Sequence, residues 1–151
     1  MKKLSITLLL VIVAMGQITF LRSASAVTFQ ESLKIDLMSA EELKAKIVGN
    51  SPVVVIDVRA TNGYIDSESK IKGAIHVKLR RLKSRLGMSP FKDIPRDRQV
   101  VTYCACPADE SSIAAARILI ENGFKNVRAL KGGWQQWLKI SGPVDAKPKG
   151  T

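Results

Sequence analysis

The sequence predicts an α/β domain built on a parallel sheet, and three observations predict it. Short apolar runs with strand character alternate with amphipathic stretches of helical period along most of the chain. Val53–Ile56 is a continuous apolar run, the mark of a strand buried on both faces. In Val100–Leu119 a second apolar strand run ends in a cysteine, and its short loop leads into an amphipathic helix.

The chain has 151 residues, and its first stretch reads as a targeting signal. Lys2 and Lys3 precede a largely apolar run, Leu4–Phe20, and Ala24-Ser25-Ala26 supplies a small-residue cleavage pattern. Residues 1–26 are therefore expected to be a signal peptide removed after Ala26, giving a periplasmic or secreted protein. Ser5, Thr7, Gly16, Gln17 and Thr19 interrupt the run and make it poor for a span of about 20 residues. No permanent membrane anchor is expected. Residues 27–36 form a lead-in, 37–144 a single domain long enough for its own core, and 145–151 a disordered tail.

After the signal, Ser32–Leu37 alternates polar and apolar residues as a short edge strand does. Ser39 caps a helix running to about Val48, with Glu42 completing a capping box and Leu43 and Ile47 on one face. Gly49-Asn50-Ser51-Pro52 stops it. Val53–Ile56 follows as a strand ending in Asp57. Arg59–Lys72 is polar, with Asn62-Gly63 as a turn signal. Ala74–Val77 is a short strand, and Leu79–Leu86 a basic helix with Leu79, Leu82 and Leu86 inward. Gly87, Pro90 and Pro95 mark a loop before the strand Gln99–Tyr103. The helix Ser112–Glu121 presents Ile113, Ala116 and Ile120 inward, and Gly123 is placed to end it. Val127–Leu130 is the last strand. Gly132-Gly133 turns the chain into a closing helix, Trp134–Ile140, whose two tryptophans bury against the sheet. The polar segment Val144–Thr151 is expected to be disordered.

Both cysteines, Cys104 and Cys106, lie in the loop after the strand Gln99–Tyr103. A ring closed over one intervening residue gains little and strains its geometry, so chemistry explains the pair better than stability does. Together with His76 they fall short of the four ligands of a structural zinc, and no metal site is expected; copper(I) on Cys-x-Cys is a minor alternative. A thiolate in such a loop is favoured by successive backbone N–H groups and by the positive end of the following helix.

Several blocks in this order resemble the rhodanese (sulfurtransferase) family. They are Val54–Arg59 (VVIDVR), Ile71–Ile75 (IKGAI), Tyr103-Cys104 with the following Ser-x-x-Ala-Ala helix, and Leu130–Trp137 (LKGGWQQW). Lys70 stands where the family often has a histidine. The resemblance spans about Leu37–Val144. It implies a three-layer fold, with about five parallel strands flanked by helices, and a cysteine that carries sulfane sulfur as a persulfide. It also implies no cofactor, a small sulfur-containing donor, and a thiol or other nucleophilic acceptor.

Two cues select different nucleophiles. A β-branched and aromatic strand ends directly in Cys104, whereas the family's usual spacing to the helix-opening serine is the six positions from Cys106 to Ser112. Cys104 is the first choice, because loops tolerate length changes better than a strand tolerates extension through Pro107. Cys106 is the second choice, or a resolving thiol. Ala105, Pro107, Ala108, Asp109, Glu110, Ser111 and Ser112 are the expected substrate-binding loop. This loop carries two carboxylates and no Lys or Arg. Asp109 and Glu110 read as helix caps; turned toward the thiolate they would raise its pKa above about 8.5 and weaken binding of a dianion such as thiosulfate. The missing arginine also argues against phosphatase chemistry on the same fold. His76 reads as a strand-end residue, and Asp57 and Arg59 as a structural pair at the end of a buried strand.

The net charge of +11 is uneven: Lys70–Arg98 holds ten Lys and Arg against Asp93 and Asp97, and the rest of the chain after residue 26 sums to zero. A solvated helix and loop surface is the simpler reading. The functional one is an electropositive rim that draws anionic sulfur compounds, or an acidic partner, toward the cysteine loop. Export and the lack of interleaved aromatics disfavour nucleic acid. The expected function is an exported sulfurtransferase or persulfide carrier. The alternatives are a Cys-x-Cys thiol–disulfide relay and a catalytically idle module that binds a partner through Arg80, Arg81 and Lys83.

Overall fold

The computed structural model describes residues 34–147. The expected signal peptide, the lead-in up to residue 33 and the last four residues of the tail lie outside the described residues. The strands are β1 (Leu37–Met38), β2 (Val53–Asp57), β3 (Ser69–Ile71), β4 (Ile75–His76), β5 (Gln99–Tyr103), β6 (Asn126–Leu130) and β7 (Val144–Ala146). The helices are α1 (Ala40–Val48), α2 (Thr61–Ile65), α3 (Leu79–Arg85), α4 (Glu110–Glu121) and α5 (Gly133–Lys139).

Five strands form an all-parallel sheet in the order β1-β6-β5-β2-β4. β2 and β5, whose interiors are rich in valine, lie side by side inside the sheet and are covered on both faces. Helices cover both faces. On one, Ile56, Val58, Val100 and Ala129 pack with Leu82 of α3 and with Ala115, Ala116 and Leu119 of α4. On the other, Val55, Val101, Tyr103 and Leu130 pack with Leu43 of α1 and with Trp134 and Trp137 of α5. Trp137 is fully buried, and its indole Nε1 donates to the Pro143 carbonyl at 3.1 Å, so burial of its large apolar surface leaves no polar atom stranded.

Local chemistry sets the helix ends. Ser39 Oγ accepts from the Glu42 amide at 3.1 Å and starts α1. At the end of α4, Gly123 adopts φ +90°, its amide donates to Ile120, and the Phe124 amide donates to Leu119. That is a Schellman closure, available there because glycine has no Cβ to penalise the left-handed turn.

Four segments differ from the sequence expectation. The first strand is Leu37–Met38, held by β6, and Lys34–Asp36 are not strand; the expected part before Lys34 lies outside the described residues. Arg59–Lys72 is not a plain loop, since it holds α2 and β3. The tail is not disordered from Val144. β7 pairs antiparallel with β3, Ile71 opposite Val144, and the Asp145 carboxylate accepts from the Gly73 amide at 2.7 Å. Neither strand has an apolar period, so only the pairing reveals them. Finally, α4 starts at Glu110, and its buried stripe is Ser112, Ala115, Ala116 and Leu119, with Ile113 and Ile120 only partly buried. Small residues let the helix approach the sheet closely, and this outranks the larger hydrophobicity of isoleucine.

Candidate active-site loop

β2 connects onward to the edge strand β4, while β5 connects to β6 on the other side, so the strand order reverses between β2 and β5. In open α/β sheets, ligands bind outside the carboxyl ends of the strands at such a switch point. β5 ends at Tyr103, and the next residue is Cys104. Side chains alternate along this strand: Val101 and Tyr103 face α1 and α5, whereas Val100 and Cys104 pack on the side of α3 and α4.

The structure joins Cys104 and Cys106 in a disulfide, with the Cα atoms 5.7 Å apart. The Cys106 amide donates to Cys104 Sγ at 3.4 Å, and the Ser111 amide donates to Cys106 Sγ at 3.4 Å. Ser112 Oγ donates to the Asp109 carbonyl at 2.8 Å and lies 3.9 Å from Cys104 Sγ. Cys104 is 1% exposed and Cys106 half-buried, so Cys106 is the more accessible residue of the pair. Backbone N–H groups thus point at both sulfurs, the arrangement that favours negative charge on sulfur once the bond is reduced.

The two loop carboxylates do not behave alike. Asp109 sits at φ +55° and makes no side-chain cap to its own helix. Its Oδ2 instead accepts from the Gly132 amide at 2.8 Å, so this buried carboxylate is committed to the start of α5. Glu110 is exposed in the first turn of α4, where a carboxylate suits the helix dipole. Ala105 packs near Gly63 of α2, and its carbonyl accepts from Gln135 Nε2 at 3.5 Å. Pro107 and Ala108 are exposed at the loop tip, and Ser111 and Ser112 lie in α4.

The Gly132-Gly133-Trp134 turn clamps this loop from behind. The Trp134 amide donates to the Cys104 carbonyl at 2.8 Å, and Gly133 has φ +46°. A Cβ on Gly133 would overlap the Cys104 carbonyl oxygen. Gly133→Ala is therefore expected to cost about 1–3 kcal/mol through overpacking and to displace the cysteine backbone. Thermal melting should show a loss of several degrees, and sulfur transfer should fall at temperatures where the variant is still folded. Unchanged turnover in folded variant would show that the clamp does not position Cys104.

On the opposite face of the sheet lies a buried network that sequence reading treated only as an ion pair. Arg59 Nη2 meets Asp57 Oδ2 at 2.8 Å, and both side chains are fully buried. Tyr103 Oη donates to the same oxygen at 2.5 Å and accepts from the Ile71 amide at 3.2 Å. The guanidinium lies 4.4 Å from the Trp134 ring centroid, 5.2 Å from Tyr64 and 5.6 Å from Tyr103. Tyr64 stacks on His76 with centroids 3.6 Å apart. Burial alone would raise the Asp57 carboxyl, but hydrogen bonds from His76, Arg59 and Tyr103, and the Arg59 charge, hold it below the ordinary 3.8. The Tyr103 phenol is pushed up, first by burial and then by the Asp57 charge. This network fixes Tyr103, the residue before the cysteine, rather than touching the sulfurs. Tyr64 had no sequence signal beyond its place in a polar stretch.

A groove of about 530 Å³ borders the loop, lined by Ser39, Glu41, Pro107, Asp109, Lys131 and Gln136 among others. Lys131 is its cation. Arg80, Arg81 and Lys83 are exposed on α3, and none of them joins an ion pair among the described residues. α3 follows the carboxyl end of β4, so its basic first turn begins at the same end of the parallel sheet as the loop.

A family model described as rhodanese-like domain matches residues 39–140. A thiosulfate sulfurtransferase GlpE of Coxiella burnetii is 28% identical over 92 residues, covering 61% of this chain and 78% of that protein. A sulfurtransferase of Allochromatium vinosum is 28% identical over 116 residues, covering 77% of this chain and 99% of its own. The solution structure of a rhodanese-like domain from an Anabaena sp. protein superposes with a TM-score of 0.62 at 27% identity, covering 78% of this chain and 88% of that one. Its likeness extends over the parallel sheet and the flanking helices.

Proposed function

The chain belongs to the rhodanese-like domain family, and from that premise we propose that it is an exported sulfurtransferase or persulfide carrier, periplasmic or secreted, with Cys104 as the nucleophile. The observation that carries this reading is the position of Cys104. It directly follows the central strand at the switch point, its sulfur accepts a backbone N–H, and α4 begins a few residues on. In the first step the Cys104 thiolate attacks the outer sulfur of a donor such as thiosulfate. The donor S–S bond breaks, and sulfite leaves with the electron pair. In the second, a nucleophilic acceptor attacks the outer sulfur of the persulfide and the Cys104 thiolate departs. Both states of Cys104 are anionic, and the loop amides and helix N-terminus stabilise them without a side-chain donor. No distant general base is needed, because a thiolate is already the nucleophile.

The loop itself offers a dianion no cation. Lys131 in the bordering groove and the basic first turn of α3 supply attraction in its place, and the same basic segment fits an acidic protein partner. Reduced Cys106→Ser protein, which has a single thiol, is expected to gain about 32 Da on Cys104 when incubated with thiosulfate, seen by intact mass, and to form thiocyanate when cyanide is added. No adduct from thiosulfate or from other sulfane donors would overturn the proposal.

One observation favours a second reading. The Cys104–Cys106 disulfide is what a thiol–disulfide relay would carry, and an oxidising compartment would keep it closed. A relay passes its disulfide to substrate thiols and never takes up sulfur, so the same mass measurement separates the two.

A further inference from the structure

Building on the persulfide reading of Cys104, we propose that Cys106 resolves the Cys104 persulfide, so that this domain reduces sulfane sulfur to hydrogen sulfide and closes the Cys104–Cys106 disulfide in doing so. Three observations carry it. The two sulfurs are joined in a structure in which β5 and α4 are both fully formed. The Ser111 amide is directed at Cys106 Sγ, which stabilises a thiolate there as well as on Cys104. The pair is also unequal in access, with Cys104 buried and Cys106 half-buried.

The step balances without an outside oxidant. The Cys106 thiolate attacks Sγ of Cys104. The bond from Cys104 Sγ to the outer sulfur breaks, and the outer sulfur leaves with that electron pair, taking up a proton as hydrosulfide. The sulfane sulfur is reduced by two electrons, and the two cysteine sulfurs are oxidised to the disulfide. With thiosulfate as donor, two thiols and one thiosulfate give one sulfite, one hydrogen sulfide and one disulfide. A dithiol reductant then attacks the accessible Cys106 Sγ, releases the Cys104 thiolate into its amide cradle, and is itself oxidised as its second thiol displaces Cys106. The intramolecular thiol competes well against free acceptors, because its effective concentration far exceeds theirs.

The test is an anaerobic single turnover of fully reduced protein with thiosulfate, following sulfite, sulfide and intact mass. Wild type is expected to release sulfite and about one equivalent of sulfide, and to end about 2 Da lighter with no lasting adduct. Cys106→Ser and Cys106→Ala are expected to release sulfite, keep an adduct of about 32 Da, and give no sulfide until a thiol is added. Two results would overturn the inference: a lasting adduct on wild type without sulfide, or equal sulfide from the Cys106 variants. If neither sulfite nor an adduct appears in any form, the persulfide reading itself has failed, and with it the resolution step.

Discussion

Cys104→Ser is expected to lower sulfur transfer by roughly 10³-fold or more, the scale of losing the nucleophile from a covalent mechanism. A hydroxyl in the same cradle is not ionised at neutral pH and forms no persulfide. The substitution is nearly isosteric at a site 1% exposed, so thermal stability should change little beyond what loss of the disulfide brings. Cys106→Ser is the informative contrast, because it should retain the first step and the adduct. If Cys104→Ser keeps full transfer while Cys106→Ser loses it, the nucleophile is Cys106, and the family spacing from Cys106 to Ser112 was the better guide. If both variants keep full activity, the domain works without sulfur on either cysteine, and the basic face of α3 becomes the place to look.

The scaffold was legible because its strongest signals are local. Val53–Ile56 is apolar throughout and Val100–Tyr103 is β-branched and aromatic, patterns that a strand covered on both sides tolerates, and they are adjacent strands inside the sheet. Ser39 and Gly123 announced helix ends through chemistry that acts within a few residues. The β3–β7 pair escaped for the opposite reason. It is stabilised by partners more than seventy positions apart, Gly73 with Asp145 and Ile71 with Val144, and neither segment carries a periodic pattern. The site divides along the same line. A strand ending in cysteine and opening a helix shows in the sequence. That Asp109 reaches across to Gly132 does not, because a carboxylate at a helix start reads as a cap of its own helix. The cage of Tyr64, Tyr103 and Trp134 around Arg59 draws on three separate segments and emerges only once the sheet brings β2 and β5 together.

Asp57→Asn is expected to destabilise the domain by about 3–5 kcal/mol at neutral pH, because it strands the buried Arg59 guanidinium without its counter-charge. Set against a typical total of about 5–15 kcal/mol, such a loss would leave the variant marginal at 37 °C. The sign of the pH dependence follows from the direction of the carboxyl shift. The folded-state pKa of Asp57 lies below the ordinary 3.8, so its contribution is fully present above that value and is lost as pH falls through the lowered folded value. Denaturant titrations at neutral and acidic pH should therefore show a wide gap between wild type and Asp57→Asn that narrows below about pH 4. A gap that stays constant with pH would mean that the carboxylate charge is not what the network uses. Replacing both partners, Asp57→Leu with Arg59→Met, separates charge pairing from shape. Apolar isosteres of a buried pair are often neutral or stabilising, so the double variant should be more stable than Asp57→Asn alone. Tyr103 loses its acceptor in the double variant, and Tyr103 immediately precedes Cys104. Sulfur transfer by the folded double variant thus reports whether the network also sets the aim of the cysteine: a fall at restored stability shows that it does, and full turnover shows that the strand alone is enough.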